Sequence, residues 1–145
     1  MRQLLREARR LGVSVHIARI DDDPSLRGYY VADRGMIVLR YGLTRAETRS
    51  VLAHELGHAF YRHACDGPAA ERQADIYAAR LLVDAETYAR LGRVNPDPHD
   101  LAERLDVTVD VIRTFEAHCL TRLGGVTYAS PKMGARQWAY RAASA

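Results

Sequence analysis

The sequence predicts an α+β fold, and three features carry that expectation. Short β-branched runs lie before residue 41, an uninterrupted helical stretch carries His54-Glu55-Leu56-Gly57-His58, and further helix patterns follow it. The expected arrangement is a small sheet of antiparallel type packed on the helix of the His54–His58 stretch and on a second ligand-bearing helix, followed by a C-terminal helix pair. A chain of 145 residues fits one domain with a real core. The expected boundaries are 1–95 for the body that holds the site, 96–123 for a helix-turn-helix-like extension of it, and 124–145 for a basic tail.

Taken in order, Leu4, Leu5, Ala8 and Leu11 form the apolar stripe of a short helix, which Gly12 ends. Val13, Val15 and Ile17 alternate with Ser14 and His16 and predict a strand, with His16 on its polar face as a surface residue. Asp21-Asp22-Asp23-Pro24 reads as an acidic turn, because no Gly or distal Glu completes a calcium loop. Gly28-Tyr29-Tyr30-Val31 and Met36-Ile37-Val38-Leu39, joined by Ala32-Asp33-Arg34-Gly35, predict a hairpin. The sheet edge at 36–40 is the expected place for an extended peptide to add as a strand.

Thr44-Arg45-Ala46-Glu47 is a capping-box start, and neither Pro nor Gly interrupts residues 45–56. On the helix wheel Leu52, Leu56, Ala59 and Phe60 fall opposite His54 and His58, so one face packs while the other is left for chemistry. Pro68 suits the first turn of the next helix, expected over 69–83, and Asp84 caps a shorter one containing Tyr88 and Leu91. Asn95-Pro96-Asp97-Pro98 breaks the chain. Helices are then expected over 100–105 and 109–123, and Gly124-Gly125 opens a tail without an acidic residue. Disorder, docking on the body and binding of a partner are all open to that tail.

Composition narrows the functional classes. No apolar run approaches the ~18 residues of a membrane span, and the amino end lacks the apolar core of a signal peptide, so a cytoplasmic location is expected. Cys65 and Cys119 are too few for a disulfide scaffold. The net charge of +3 comes from 20 Arg and a single Lys, which is weak grounds for a nucleic-acid surface. Residues 97–122 hold six acids against three Arg, a balance of −3. An acidic helix pair of that kind repels phosphates, so no direct nucleic-acid partner is expected.

The chemistry centres on H-E-x-x-H. Residues four apart share a helix face, so His54 and His58 can reach one point and hold zinc there through ring nitrogens. Glu55, one step round the helix, lies where a carboxylate meets the reacting water rather than the metal. Chance produces this pattern in roughly one chain of such composition in a hundred, so its surroundings must decide. Glu71, early in the next helix, is placed to fold back beside both imidazoles. Asp75, one turn later, could bind the metal itself, but better suits the second N–H of a ligand imidazole. Cys65 is read as a small apolar residue, and His118-Cys119 as core or surface. His63 falls on the opposite face if the helix persists and is expected to stay off the site.

His54-Glu55-Leu56-Gly57-His58 followed by Glu71-Arg72-Gln73-Ala74-Asp75-Ile76-Tyr77-Ala78-Ala79-Arg80-Leu81-Leu82-Val83 resembles the ImmA/IrrE family of zinc-dependent endopeptidases, which are zincin-like in their H-E-x-x-H helix. The resemblance extends from the first strand to the helix pair near residue 120. It implies His54, His58 and Glu71 as metal ligands, Zn2+ as cofactor and Glu55 as general base. It further implies an intracellular enzyme whose protein substrate is a helix-turn-helix repressor. Two departures stand out: Asp84 follows Val83 where Pro is common, and no separate DNA-binding domain precedes the motif. Two other classes stay in view, a DNA-binding or regulatory module built on residues 100–123 and a zinc-bound adaptor without catalysis.

Overall fold

Met36-Ile37-Val38-Leu39 has no polar member, and a strand of that kind needs cover on both edges and both faces. The computed structural model gives it that cover. It describes residues 1–21, 23–64, 67–123, 126–129 and 139–140, from residue 121 by backbone alone. Helix α1 (Arg2–Leu11) leads into strand β1 (Ser14–Ala18); β2 (Gly28–Val31) and β3 (Met36–Arg40) follow. Helices α2 (Arg45–Tyr61), α3 (Pro68–Leu82), α4 (Ala85–Gly92), α5 (Pro98–Leu105) and α6 (Val109–His118) make up most of the rest. Strands β4 (Leu120–Leu123), β5 (Val126–Ala129) and β6 (Ala139–Tyr140) form a separate antiparallel ribbon in that order.

The α+β class is as the sequence predicts, but the sheet is mixed and its order is β1-β3-β2. The β2–β3 hairpin is antiparallel, whereas β1 runs parallel to β3 with Ser14 opposite Met36 and Ala18 opposite Arg40. A long connection after β1 carries the chain across to the far edge, and the hairpin then returns β3 between the other two. The expectation of a free edge at 36–40 is therefore corrected: β3 is central, and β2 is the edge strand of the second half. Ile37, Val38 and Leu39 are buried, while Ile17 at the end of edge strand β1 is 65% exposed, so the alternation read there fails at its last position.

Helix α2 starts as its sequence requires. Thr44 accepts from the Glu47 N–H while the Glu47 carboxylate accepts from the Thr44 N–H, a reciprocal capping box. Leu52 and Leu56 are fully buried against α1, β3 and Ala78 of α3 in a first apolar cluster. Burying each such side chain contributes roughly 1.5–3 kcal/mol. A second cluster, Ala79, Val83, Leu101, Ile112, Phe115 and Cys119 among its members, lies on the other side of α3. Cys119 is thus a core residue, and burial pushes its thiol pKa up.

Two polar contacts tie α2 to the helix pair. Arg49 donates to the Asp106 carbonyl at 3.0 Å and its carboxylate at 2.8 Å, and the Thr108 N–H donates to Ser50 Oγ at 3.0 Å. The predicted helix over 109–123 stops at His118, because Leu120–Leu123 pairs antiparallel with β5. A Gly-Gly link between strand-forming runs is itself a hairpin signal. Of the tail expected at 124–145, only β5 and β6 fall within the described residues; Asp22, Cys65 and Asp66 also lie outside them. No described helix is long and apolar enough to cross a membrane.

Candidate metal centre

The site is built by two helices that touch unusually closely. A Cβ on Gly57 of α2 would sit 2.7 Å from Ala74 Cα of α3, so only glycine admits this approach. With the helices this near, Glu71 on the first turn of α3 meets the histidine face of α2. Pro68 at the start of α3 sets that first turn.

His54 and His58 bring their Nε2 atoms to 3.0 Å, and Glu71 places Oε2 3.3 Å from His54 Nε2 and Oε1 3.4 Å from His58 Nε2. These three side chains form a group that could hold a metal ion. Ligand atoms about 2.0–2.1 Å from a tetrahedral zinc lie roughly 3.3 Å apart, so the triangle has the right size. The proton arrangement fits as well. Asp75 Oδ1 lies 2.8 Å from His54 Nδ1, and a carboxylate only accepts, so His54 donates from Nδ1 and aims a lone pair from Nε2 into the triangle. Electron-rich atoms gathered so closely need a cation or a proton among them.

Electrostatics point the same way. Burial alone would lower the His54 pKa, but the Asp75 hydrogen bond and the charges of Glu55, Asp75 and Glu71 outweigh it and raise the value above the ordinary one. The pocket thus favours positive charge. Glu55 is 7% exposed and lines two adjoining cavities together with His54. The larger, about 980 Å³, runs along β2 past Tyr29 and Tyr30 and includes His58, His63 and Glu71. The smaller, about 340 Å³, opens between Arg27, Asp75 and the start of α6, where Thr108, Asp110 and Thr114 line it. Gly28 belongs to both: a Cβ there would lie 2.6 Å from Val51 Cγ1, so its absence lets β2 close on α2.

The five residues singled out from the sequence, His54, Glu55, His58, Glu71 and Asp75, thus come together. His63 is a correction. Helix α2 ends at Tyr61, and Arg62 takes the left-handed conformation at φ 55°, so the chain doubles back. His63 Nδ1 then lies 3.1 Å from His58 Nδ1, and its Nε2 lies 2.9 Å from Gln73 Oε1. The sequence carries no glycine at that turn to announce it. Gly57 was legible only as a letter between the motif's fixed positions, since nothing local reveals its contact with α3.

The sequence model of the Peptidase_M78 family, described as the IrrE N-terminal-like domain, matches residues 8–114. No curated protein sequence matches the chain. Among solved structures, a Mycobacterium tuberculosis transcriptional regulator shares the fold with a TM-score of 0.62 at 15% identity, over 97% of this chain and 49% of that one. The present chain therefore spans about half the length of that regulator.

Proposed function

The chain belongs to the Peptidase_M78 family of IrrE N-terminal-like domains, and from that premise we propose that it is a zinc-dependent endopeptidase making a site-specific cut in a partner protein. The observation that supports this best is the triangle of His54 Nε2, His58 Nε2 and the Glu71 carboxylate, with Glu55 buried at its side. His54, His58 and Glu71 would hold the ion, and Asp75 would keep the His54 tautomer fixed. Held by these residues, zinc would supply a Lewis acid able to polarise a carbonyl and to lower the pKa of water towards ~7.

Glu55 is the general base. Its carboxylate takes a proton from the attacking water and delivers it to the leaving amine nitrogen. Burial beside His54 keeps that carboxylate out of bulk solvent, where it acts on the water in the cleft. The substrate extends along β2, an edge strand whose residues line the larger cavity and whose unpaired edge can offer main-chain pairing. Such pairing is indifferent to side chains, so selectivity for one partner comes from a docking surface beyond the cleft.

A helix-turn-helix repressor is the proposed substrate class, on the family resemblance, and an intracellular setting goes with it. The similar solved structure is called a transcriptional regulator, which accords with a role in gene control. Direct DNA reading by α5 and α6 is the weaker proposal: their stretch is acidic, and Thr108, just before α6, is bonded to Ser50 of α2. A non-catalytic zinc adaptor would have no use for Glu55. Incubating the zinc-loaded protein with the helix-turn-helix repressors of its own source should yield one discrete cut in one of them, absent with Glu55→Gln. Intact repressor in the presence of a fully metallated protein would remove the proposal.

A further inference from the structure

His58 is backed differently from His54, and the difference leads to a positioning residue. Where His54 has a carboxylate behind it, His58 has a second imidazole, His63, whose other nitrogen meets a side-chain amide. The contact is built by the backbone. The His63 N–H donates to the His58 carbonyl at 3.0 Å, and Arg62 turns left-handed to allow it. The Tyr61 ring stacks on His63 with centroids 5.5 Å apart and planes 16° from parallel, and Gln73 meets the far end of the imidazole. His63 is therefore held on three sides.

Two proton arrangements satisfy this line of atoms. If Gln73 presents its carbonyl oxygen, His63 carries its proton on Nε2 and accepts on Nδ1. His58 then donates from Nδ1, and its Nε2 keeps a lone pair for the triangle. If the amide were turned, its NH2 would donate to His63 Nε2, His63 would donate to His58 from Nδ1, and His58 would carry a proton on Nε2, aimed into the triangle. Only the first lets His58 act as a ligand. We propose that His63 and Gln73 act together as positioning residues that hold His58 in its Nδ1–H tautomer, with Nε2 bare toward His54 and Glu71. The proposal rests on reading His58 as a metal ligand. Partners of this kind typically change metal affinity by about 10–100-fold when removed.

Histidine 15N–1H correlation spectra of the metal-free protein read the tautomer directly, whatever the activity. The expected result is His58 protonated at Nδ1, with a shift towards a mixture of tautomers in His63→Ala. Zinc affinity, measured by competition with a chelator, should fall about 10–100-fold in His63→Ala. His63→Asn, whose side-chain oxygen can accept in place of Nδ1, should recover most of that loss. Gln73 is exposed, so both of its variants should fold. Gln73→Glu, which only accepts, should hold the affinity, and Gln73→Lys, which only donates, should lower it. His58 protonated at Nε2 in the parent protein, or equal affinities across this set, would overturn the inference. A parent protein that binds no zinc while its His58 carries the Nδ1 proton would remove the peptidase reading and leave the His63 contact standing.

Discussion

The two apolar clusters share one wall, helix α3, and serve the site in different ways. Ala78 faces the first cluster and Ala79 the second, one residue apart. In the first cluster the packing helix is also the chemical one: Leu52 and Leu56 anchor the face of α2 opposite His54 and His58. The second cluster carries none of the proposed ligands. It supports the start of α6, which closes the smaller cavity with Thr108, Asp110 and Thr114. Packing errors in the first cluster should therefore reach the proposed metal site directly, whereas those in the second should reach stability and the shape of the cleft.

The sharpest test of the active face comes from changes that leave packing alone. Glu55→Gln should keep metal and fold while cleavage falls about 10²–10⁴-fold, as followed by the rate of repressor cutting. Activity within a few-fold of the parent would assign the base elsewhere. Metal analysis of His58→Ala and Glu71→Gln should show strong loss, with much of the zinc kept in Asp75→Asn. Full stoichiometry in Glu71→Gln would promote Asp75 to ligand.

Next come two core substitutions, one for each cluster. Ile112→Ala should destabilise by about 2–5 kcal/mol, read from denaturant unfolding, and leave zinc affinity near the parent value under native conditions. Gly57→Ala should cost less, about 1–3 kcal/mol, yet weaken zinc binding, because the added methyl pushes Ala74 and hence Glu71 away. Equal losses of metal affinity in the two would show that the clusters do not divide the work as described.

Smaller effects are expected where the regions are joined. Arg49→Ala removes the bonds to Asp106 and should raise amide exchange in α5 and α6 before it does so in α2, at a cost of about 1–3 kcal/mol. The smallest lies on α1. Hydrogen bonding from Arg10 holds the Glu7 carboxyl below its ordinary range, against the opposing effect of burial and with help from Tyr77 of α3. A depressed folded-state pKa gives stability that is present above the unfolded value and lost as pH falls through the folded one. Thermal melts should show a shallower acid decline in Glu7→Gln than in the parent, the difference setting in as pH falls into the ordinary glutamate range and completing below it.

Elements announced by local chemistry were legible in the sequence. Thr44 and Glu47 mark the start of α2, Pro68 that of α3, and Asp84 that of α4, because capping is decided within four residues. The convergence of His54, His58 and Glu71 followed from helix spacing and family pattern. What escaped was set by tertiary contact. The central place of β3 depends on which strand the hairpin leaves outside, although the unbroken run of Met36-Ile37-Val38-Leu39 hinted at it. The left-handed turn at Arg62 is one that local preference disfavours, and with it went the position of His63. Helix α6 ended early because pairing with β5 competed with helical propensity over Leu120–Leu123.

The closeness of α2 and α3 also bears on the order in which the molecule forms. Glu71 follows His54 by 17 positions, whereas the Arg49–Asp106 contacts join residues 57 apart and the parallel β1–β3 pair must wait for the intervening hairpin. Loop-closure entropy rises by about 0.6 kcal/mol for each doubling of length, so the α2–α3 contact closes a shorter loop than the tie to the helix pair. If the proposed site holds an ion, a helical hairpin formed early would already bind it, and part of the binding energy would be present before the native state is reached. The ion's stabilisation of the folded protein would then fall short of its affinity by that amount.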